Sequence, residues 1–195
     1  MPVTQVEVRE AELIRLALAG DERAFACLIE APQHAVYAYI RRMVHEDAIA
    51  EELTQEVLLK AFRHLGRFAG QSTFLTWLFR IAINHVRDYL ETRSARGRRK
   101  EVSLDGDSLG TYQPLSSLPA PDEAVRQREL AAFFDRCLRA IEAHLREAFI
   151  LRYQEGLGYP QIAAILQISE ANARTRVHRA REQILGELRA RGYGE

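Results

Sequence analysis

Hydrophobic residues recur along this chain mostly at spacings of three and four positions, and segments in which hydrophobic and polar residues alternate are almost absent. Side chains with that spacing share one face of an α-helix. The pattern therefore predicts an all-α protein whose helices are separated by residues that favour helix ends. Gly20 followed by Asp21 predicts the end of one helix and the start of the next, and Pro32 interrupts the helix after that.

Two hydrophobic stripes in the first third of the chain predict buried helix faces. The first consists of Val36, Ile40, Met43 and Val44, and the second consists of Leu53, Val57, Ala61 and Leu65. The opposite face of the second helix carries Glu51, Glu52, Gln55 and Glu56. Such a face predicts either plain solvation or a surface for another protein that presents basic residues.

A loop at residues 66–70 precedes a long helix, for which Ser72 is the predicted N-cap and which is predicted to span residues 73–92. One face of this helix is hydrophobic and comprises Phe74, Trp77, Leu78, Ile81, Ala82 and Tyr89. The opposite face is polar and comprises Thr76, Arg80, Asn84, Arg87 and Asp88. Phe68 in the loop suits packing and base stacking equally, whereas Phe74 and Trp77 fit the hydrophobic core better.

Residues 101–121 differ in composition from the rest of the chain. They contain three Pro, two Gly, four Ser and three acidic residues but no Lys or Arg. That composition is typical of a linker, because it is too polar to sustain a core. Helix is predicted to resume after this segment, with Asp122 as N-cap, and to continue to about residue 143.

The last part of the chain reads LRYQEGLGYPQIAAILQISEANARTRVHRAREQI from Leu151. Pro160 can open a short helix, a turn at residues 167–169 follows, and Ser169 can cap a second helix. On that helix the predicted buried stripe is Ala173, Val177, Ala180, Ile184 and Leu188, and the other faces carry Arg174, Thr175, Arg176, His178, Arg179 and Arg181. Two helices joined in this way are typical of a helix-turn-helix motif, and the cationic surface of the second favours DNA over plain solvation.

The charges of the chain are unevenly distributed. The 27 Lys and Arg balance 27 Asp and Glu among 195 residues, so the net charge is zero. Taken alone, that total argues against a nucleic-acid partner. Residues 61–100, however, contain 9 basic and 2 acidic residues, and residues 101–125 contain 5 acidic and no basic ones. Two basic segments separated by an acidic one are compatible with DNA contact at two places.

Motifs for common cofactors, metals and catalytic nucleophiles are absent from the sequence. The six His and the two Cys, Cys27 and Cys137, have none of the spacings of a metal site, so no metal or cofactor is predicted. The first twenty residues lack the unbroken hydrophobic segment of a secretory signal, and no run approaches 18 hydrophobic residues. We therefore predict a cytoplasmic protein that is not an enzyme, does not insert into membranes and keeps both thiols reduced and packed between helices.

The helix-turn-helix segment resembles region four of the extracytoplasmic-function (ECF) sigma factors of bacterial RNA polymerase. The segment DAIAEELTQEVLLKAFRHLGRF, from Asp47, resembles the core-binding helix of their region two. The segment GQSTFLTWLFRIAINHVRDYL, from Gly70, resembles the part that melts the promoter and recognises its minus-ten element. The resemblance covers residues 10–92 and 122–189. It implies two small helical domains, region 2 in residues 1–95 and region 4 in residues 122–195, joined by a flexible linker at residues 96–121.

The resemblance also implies roles for individual residues, which form three sets. The docking surface for core polymerase would comprise Glu52, Leu53, Gln55 and Glu56. The minus-ten contacts would be Phe68, Arg80, Asn84, Arg87 and Asp88. The minus-thirty-five contacts would be Arg174, Thr175, Arg176, His178 and Arg179. The implied partners are core RNA polymerase, through its clamp helices and flap, promoter DNA, and an anti-sigma factor.

The residues alone leave one other class of function open. A conventional helix-turn-helix repressor or activator would also carry an arginine-rich helix, together with an N-terminal half that dimerises or senses a ligand. Such an N-terminal half gives no reason for the pattern of residues 47–92, in which an exposed acidic helix precedes a loop and a basic helix. That segment distinguishes the two interpretations.

Overall fold

The computed structural model describes residues 5–100 and 121–190 of the chain. Within those two ranges all regular structure is helical, in nine α-helices and one short 3-10 turn. The predicted all-α class is therefore confirmed. The chain divides into two compact units, the first made mainly of Met1–Val102 and the second mainly of Ser103–Ala163 with Gln167–Glu195. Most of the predicted linker, residues 101–120, lies outside the described residues.

The first unit contains five α-helices joined by short connections. They are α1 (Gln5–Leu18), α2 (Glu22–Ile29), α3 (Pro32–Val44), α4 (Asp47–His64) and α5 (Phe74–Lys100), and the 3-10 turn Leu65–Arg67 follows α4. Helices α3, α4 and α5 pack against one another and supply most of the buried side chains. Every member of the two predicted stripes is buried: Val36, Ile40, Met43, Val44, Leu53, Val57, Ala61 and Leu65.

The helix ends of this unit largely follow the predicted signals. Gly20 has a positive φ of 96°, and Oδ1 of Asp21 accepts the backbone N–H of Arg23 at 2.9 Å. Pro32 occupies the first turn of α3, where its missing N–H is not needed. His45 ends α3 with a φ of 62°, a left-handed conformation that the sequence did not predict.

Helix α5 differs from its prediction at both ends. It begins at Phe74, and the hydroxyl oxygen of Thr73, not that of Ser72, accepts the backbone N–H of Thr76 at 3.2 Å. The helix continues to Lys100 instead of ending near residue 92, so residues 96–100 of the predicted linker are helical. Sequence patterns locate helix interiors better than helix ends, because neighbouring hydroxyl residues compete for the capping position.

The buried face of α5 is broader than the predicted one. Phe79, Ile83 and Val86 are fully buried although the predicted stripe omitted them, because α5 packs against both α3 and α4. Thr76 was predicted on the polar face but is buried, and its hydroxyl lies 2.9 Å from that of Thr73. Trp77 of the predicted stripe is only half-buried at the edge of this face.

The second described range contains α6 (Pro121–Ala140), α7 (Ala143–Tyr153), α8 (Tyr159–Leu166) and α9 (Glu170–Ala190). The prediction of one helix from Asp122 to about residue 143 is wrong at both ends, since α6 already includes Pro121 and stops at Ala140. Nη2 of Arg146 donates to the carbonyl oxygen of Ile141 at 3.2 Å, which satisfies a backbone group at the break. One buried cluster in these helices comprises Phe133, Cys137, Leu138, Ile141, Leu145, Phe149, Ala180 and Ile184.

Both cysteines are free thiols. Cys137 is buried in the core of the second unit, as predicted. Cys27 is exposed on α2, so the prediction that it packs between helices is wrong. In the described part of the chain, no helix is long and hydrophobic enough to span a membrane, and no group of His, Cys, Asp and Glu is arranged to hold a metal ion.

Candidate nucleic-acid and polymerase interfaces

A pocket of about 310 Å³ lies where the loop after the 3-10 turn meets the first three turns of α5. Its lining combines loop residues with one edge of the helix and consists of Arg67, Phe68, Ala69, Gln71, Ser72, Trp77, Arg80, Ile81 and Asn84. Three of the predicted minus-ten residues, Phe68, Arg80 and Asn84, are therefore brought together. The volume is at the lower end of those found for small-ligand sites in proteins.

Aromatic rings form one wall of this pocket. The ring centroid of Phe68 lies 5.5 Å from that of Trp77 and 6.1 Å from that of Phe74, and the last two centroids are 5.6 Å apart. Phe74 is buried, whereas Phe68 and Trp77 are half-buried and line the cavity. Half-exposed rings of this kind offer a surface on which a planar base can stack.

Hydrogen-bonding groups face the same cavity. Asn84 carries both a donor and an acceptor, as does Gln71, and the guanidinium groups of Arg67 and Arg80 add donors and positive charge. The lining contains no acidic side chain. The pocket thus combines a stacking surface, groups that can pair with the edge of a base and charges that suit a phosphate.

The other two predicted minus-ten residues do not line the pocket. Arg87 is half-buried and Asp88 is exposed, one turn further along α5. Conversely, Arg67 and Gln71 line the pocket although they were not among the predicted site residues, and so does Trp77, which was predicted to belong to the core. In α5 Thr76 faces the core, and the neighbouring Trp77 therefore lies at the edge of the cavity. A cavity between a loop and a helix leaves no pattern in the sequence that would predict it.

The start of α5 is held by a side chain from the other end of the unit. Oε1 of Glu10 on α1 accepts the backbone N–H of Phe74 at 3.1 Å. That N–H belongs to the first turn of the helix, where backbone donors lack partners within the helix. The contact joins residues 64 positions apart and fixes the helix end that forms the aromatic wall of the pocket.

The far end of α5 is basic, but its first arginine is paired. Nη1 of Arg93 lies 2.6 Å from Oε1 of Glu46, just before α4, and 3.3 Å from the hydroxyl of Tyr89. The hydrogen bond with Glu46, assisted by that with Tyr89, raises the pKa of Arg93. The side chains of the remaining basic residues of this end, at positions 96–100, lie outside the described set.

The outer face of α4 is acidic, as predicted. Glu51, Glu52, Gln55 and Glu56 are exposed, whereas Leu53 is only 5% exposed and belongs to the core. The structure therefore places three of the four predicted docking residues at the surface and the fourth beneath them. Leu59 and Phe62 are also exposed on this helix and extend its outer face with hydrophobic surface.

Glu56 is tied to α5 through an imidazole. Its carboxylate pairs with Nε2 of His85, and Nδ1 of the same ring lies 2.7 Å from Nζ of Lys60. Since an ammonium group can only donate, Lys60 donates to Nδ1 and the protonated Nε2 donates to Glu56. We call this arrangement the Lys60–His85–Glu56 bridge. It connects the acidic outer face of α4 to the helix that carries Asn84.

Helices α8 and α9 form the predicted helix-turn-helix. Oε1 of Gln161 accepts the backbone N–H of Gly158 at 2.9 Å, which stabilises the start of α8. Gln167 adopts the left-handed conformation that the turn requires, with a φ of 58°, and the hydroxyl oxygen of Ser169 accepts the N–H of Asn172 at 3.2 Å. Of the predicted buried stripe of α9, Ala173, Val177, Ala180 and Ile184 are buried and Leu188 is half-buried.

The predicted minus-thirty-five residues lie on the remaining faces of α9. Four of them are exposed and Arg176 is half-buried, the full set being Arg174, Thr175, Arg176, His178 and Arg179. Three have polar partners one turn earlier in the helix: Arg174 donates to Glu170 at 3.1 Å, Thr175 to the carbonyl of Ala171 at 2.9 Å and Arg176 to Asn172 at 3.2 Å. These hydrogen bonds restrain the three side chains on the surface of α9.

Tyr159, at the start of α8, contacts two arginines through its ring. The Cζ atom of Arg174 lies 4.5 Å from the ring centroid, and that of Arg152, on α7, lies 4.9 Å from it. Both distances are within the range of cation–π attraction. Tyr159 was not among the predicted site residues, because its contacts to residues 152 and 174 arise only when the three helices fold together.

Known protein families match both parts of the chain. The model for Sigma-70 region 2 matches residues 28–96, and the model for Sigma-70, region 4 matches residues 134–184. The chain is 35% identical over 177 residues to the RNA polymerase sigma-H factor of Pseudomonas aeruginosa, a match that covers 90% of this chain and 92% of that protein. It is 31% identical over 179 residues to the ECF RNA polymerase sigma-E factor of Escherichia coli K12, with 91% and 93% covered.

Two solved structures share the helical fold. The sigma factor RpoE in complex with the anti-sigma factor NepR, from Bartonella quintana, gives a TM-score of 0.68 at 24% identity and covers 85% of this chain and 96% of that chain. CnrH in complex with the cytosolic domain of CnrY gives a TM-score of 0.67 at 22% identity, with 93% and 98% covered.

Proposed function

Because this chain belongs to the ECF sigma factors, which serve RNA polymerase in promoter-specific initiation, we propose that its two units divide that work between two DNA contacts. Residues 1–95 act as region 2, which binds core polymerase and opens the minus-ten element, and residues 122–195 act as region 4, which recognises the minus-thirty-five element. The family membership excludes the conventional repressor considered above. The chain works with the polymerase in the cytoplasm and supplies no catalytic reaction of its own.

The pocket beside α5 carries the first part of this proposal. Strand opening requires a base to leave the stack, which costs a few kcal/mol and must be offset by a site that receives the base. The pocket offers Phe68 and Trp77 as stacking surfaces and the amide of Asn84 for the edge of the base. Arg67 and Arg80 supply charge for the adjoining phosphates. We assign this pocket to a flipped base of the minus-ten element.

The Asn84→Ala variant tests this assignment. Holoenzyme with that variant should open duplex promoters less efficiently, by about 1–3 kcal/mol, as for the loss of a base contact. On templates whose minus-ten region is mismatched and already open, most of the defect should disappear. Glu91→Gln, an exposed position on the same helix away from the pocket, serves as the control. An equal defect on mismatched templates, or loss of core binding, would contradict the assignment.

The acidic face of α4 supports a role in core binding. Its exposed residues Glu52, Gln55 and Glu56 present negative charge and amide groups, which suit a partner surface with basic residues, and Leu53 supports them from inside. We propose that this face docks on the clamp helices of the polymerase and that region 4 meets the flap.

Glu52→Lys should slow association with core polymerase, most strongly at low salt, while Glu22→Lys on α2 should not.

We also propose that an anti-sigma factor holds this chain before induction, as NepR binds the sigma factor in the Bartonella structure. The surfaces that such a partner would cover are those assigned here to polymerase and DNA. Purified complexes from uninduced cells should contain a protein that core polymerase displaces in competition. Recovery of the chain only with polymerase subunits would contradict this part of the proposal.

A further inference from the structure

The guanidinium of Arg174 is held from two sides although it lies at the surface. One nitrogen, Nη2, donates to Glu170 at 3.1 Å, and the Cζ atom lies 4.5 Å from the ring centroid of Tyr159. The side chain nevertheless remains 62% exposed, so it can still meet a ligand. A long arginine side chain on a helix surface normally samples many rotamers, and each restraint removes part of that freedom before binding.

The ring that restrains Arg174 is itself fixed in place. Arg152 lies 4.9 Å from the centroid of Tyr159, and its Nη1 donates to the carbonyl oxygen of Leu157 at 2.9 Å. Leu157 is buried and stands two residues before Tyr159. The ring is therefore anchored to the connection between α7 and α8, which does not belong to the recognition helix.

We propose that Tyr159 is a positioning residue of the minus-thirty-five site, whose ring sets the orientation in which Arg174 meets DNA. This inference rests on the proposed role of α9 in recognising that element. An arginine in a fixed orientation distinguishes one base from another by the direction of its donors, whereas a freely rotating arginine mainly adds charge. Loss of the ring should therefore reduce discrimination between sequences more than it reduces general attraction to DNA.

The alternative role of Tyr159 is a direct contact from its hydroxyl to a phosphate. The two roles are separated by Tyr159→Phe, which keeps the ring, and Tyr159→Leu, which removes it. Full-length variants in holoenzyme are compared on promoters that carry the preferred or a substituted minus-thirty-five element. If the ring positions Arg174, the ratio of activity on the preferred promoter to that on the substituted promoter falls about three- to tenfold in the Leu variant, as expected when one long side chain must be ordered on binding. In the Phe variant the ratio is unchanged.

A cycle with Arg174→Ala completes the test. In the positioning model Tyr159→Leu has little further effect on the preference once Arg174 has been removed, because the ring acts through that arginine. Additive losses, or equal losses in the Phe and Leu variants, overturn the inference. Thermal unfolding shows whether each variant is folded, and Tyr159→Gln is a second ring-free variant if the Leu variant is not.

The outcomes also separate this inference from the function on which it rests. If Arg174→Ala changes the preference and Tyr159→Leu does not, the positioning role is wrong and the recognition role of α9 remains. If neither substitution changes the preference, both are wrong. The expected result is a loss with Arg174→Ala and with Tyr159→Leu, and none with Tyr159→Phe.

Discussion

Single side chains in this protein connect surfaces that are assigned to different partners. His85 is the clearest example, because the Lys60–His85–Glu56 bridge joins the docking face of α4 to the residue next to Asn84 on α5. The imidazole is only 12% exposed in its side chain, whereas Glu56 is 48% exposed. The half-buried imidazole of His85 therefore orients the exposed carboxylate of Glu56.

Replacement of His85 by Leu should destabilise the first unit by about 0.5–1.5 kcal/mol, because the half-buried Lys60 loses its partner, whereas the exposed carboxylate of Glu56 can bind water instead. His85→Gln, whose amide can donate and accept, should recover part of this loss. Urea unfolding followed by tryptophan fluorescence reports on this unit alone, since Trp77 is the only tryptophan in the chain. Equal stability of the Leu variant and the native protein would show that the bridge contributes nothing.

Arg176, on α9 of the second unit, is oriented by a polar neighbour on its own helix. Its Nε donates to Asn172 one turn earlier at 3.2 Å, and the residue is half-buried. Arg176→Ala should weaken recognition of the minus-thirty-five element by about 1–3 kcal/mol. The matched control is Arg189→Ala, an exposed position near the end of α9. Holoenzyme binding to promoters with an intact and a substituted element measures the difference, and an equal loss on both would indicate a phosphate contact without sequence preference.

At the scale of helices, sequence patterns predicted the buried faces of α3 and α4 well and the buried face of α5 less well. The α3 and α4 stripes are buried as predicted, although Tyr39 and Thr54, which lie outside them, are buried too. Helix α5 packs on two neighbours, so its buried face widens to include Phe79 and Ile83, and Thr76 turns inward. The pocket and the Tyr159 contacts were beyond prediction, because they depend on how loops and helices meet in space. Residue assignments to DNA and polymerase stay predictions.

The turn of the helix-turn-helix gives a prediction at this scale. Gln167 adopts a left-handed conformation, which disfavours side chains other than Gly and Asn by about 1 kcal/mol or more. Gln167→Gly should leave stability equal or up to about 1 kcal/mol higher, because relief of strain competes with a more flexible unfolded chain. Gln167→Val should lower stability, since a β-branched residue is least compatible with this conformation. Thermal unfolding of both variants and of the native protein gives their order of stability, and a Val variant more stable than the native protein would contradict the prediction.

At the scale of the whole molecule, a net charge of zero combines with strong local charges. The lining residues of the pocket belong to the basic segment 61–100, and the acidic face of α4 belongs to the same unit. Salt screens exposed charges over about 10 Å at 0.1 M, so the acidic face of α4 opposes the attraction of DNA to the pocket mainly at low salt. Local charge, not the total, determines where DNA can bind.

The neutral total should limit binding of the free chain to DNA. We expect the chain without polymerase to bind promoter DNA much more weakly than the holoenzyme does at equal salt, with a shallow dependence on salt concentration. Titration of labelled promoter at several salt concentrations measures both quantities. Equal affinities of the free chain and the holoenzyme would contradict this expectation.

The hydrogen bond between Glu10 and the N–H of Phe74 gives that single amide proton a diagnostic value. Its exchange with solvent deuterium is slowed only while α1 is docked, because its acceptor comes from α1 and not from α5. A contact between residues 64 positions apart also closes a long segment of chain, so we expect it to form after the helices that it joins. Docking of α1 would then be the step that completes the start of α5. The exchange rate of one proton would report how often that step is reversed in the native protein.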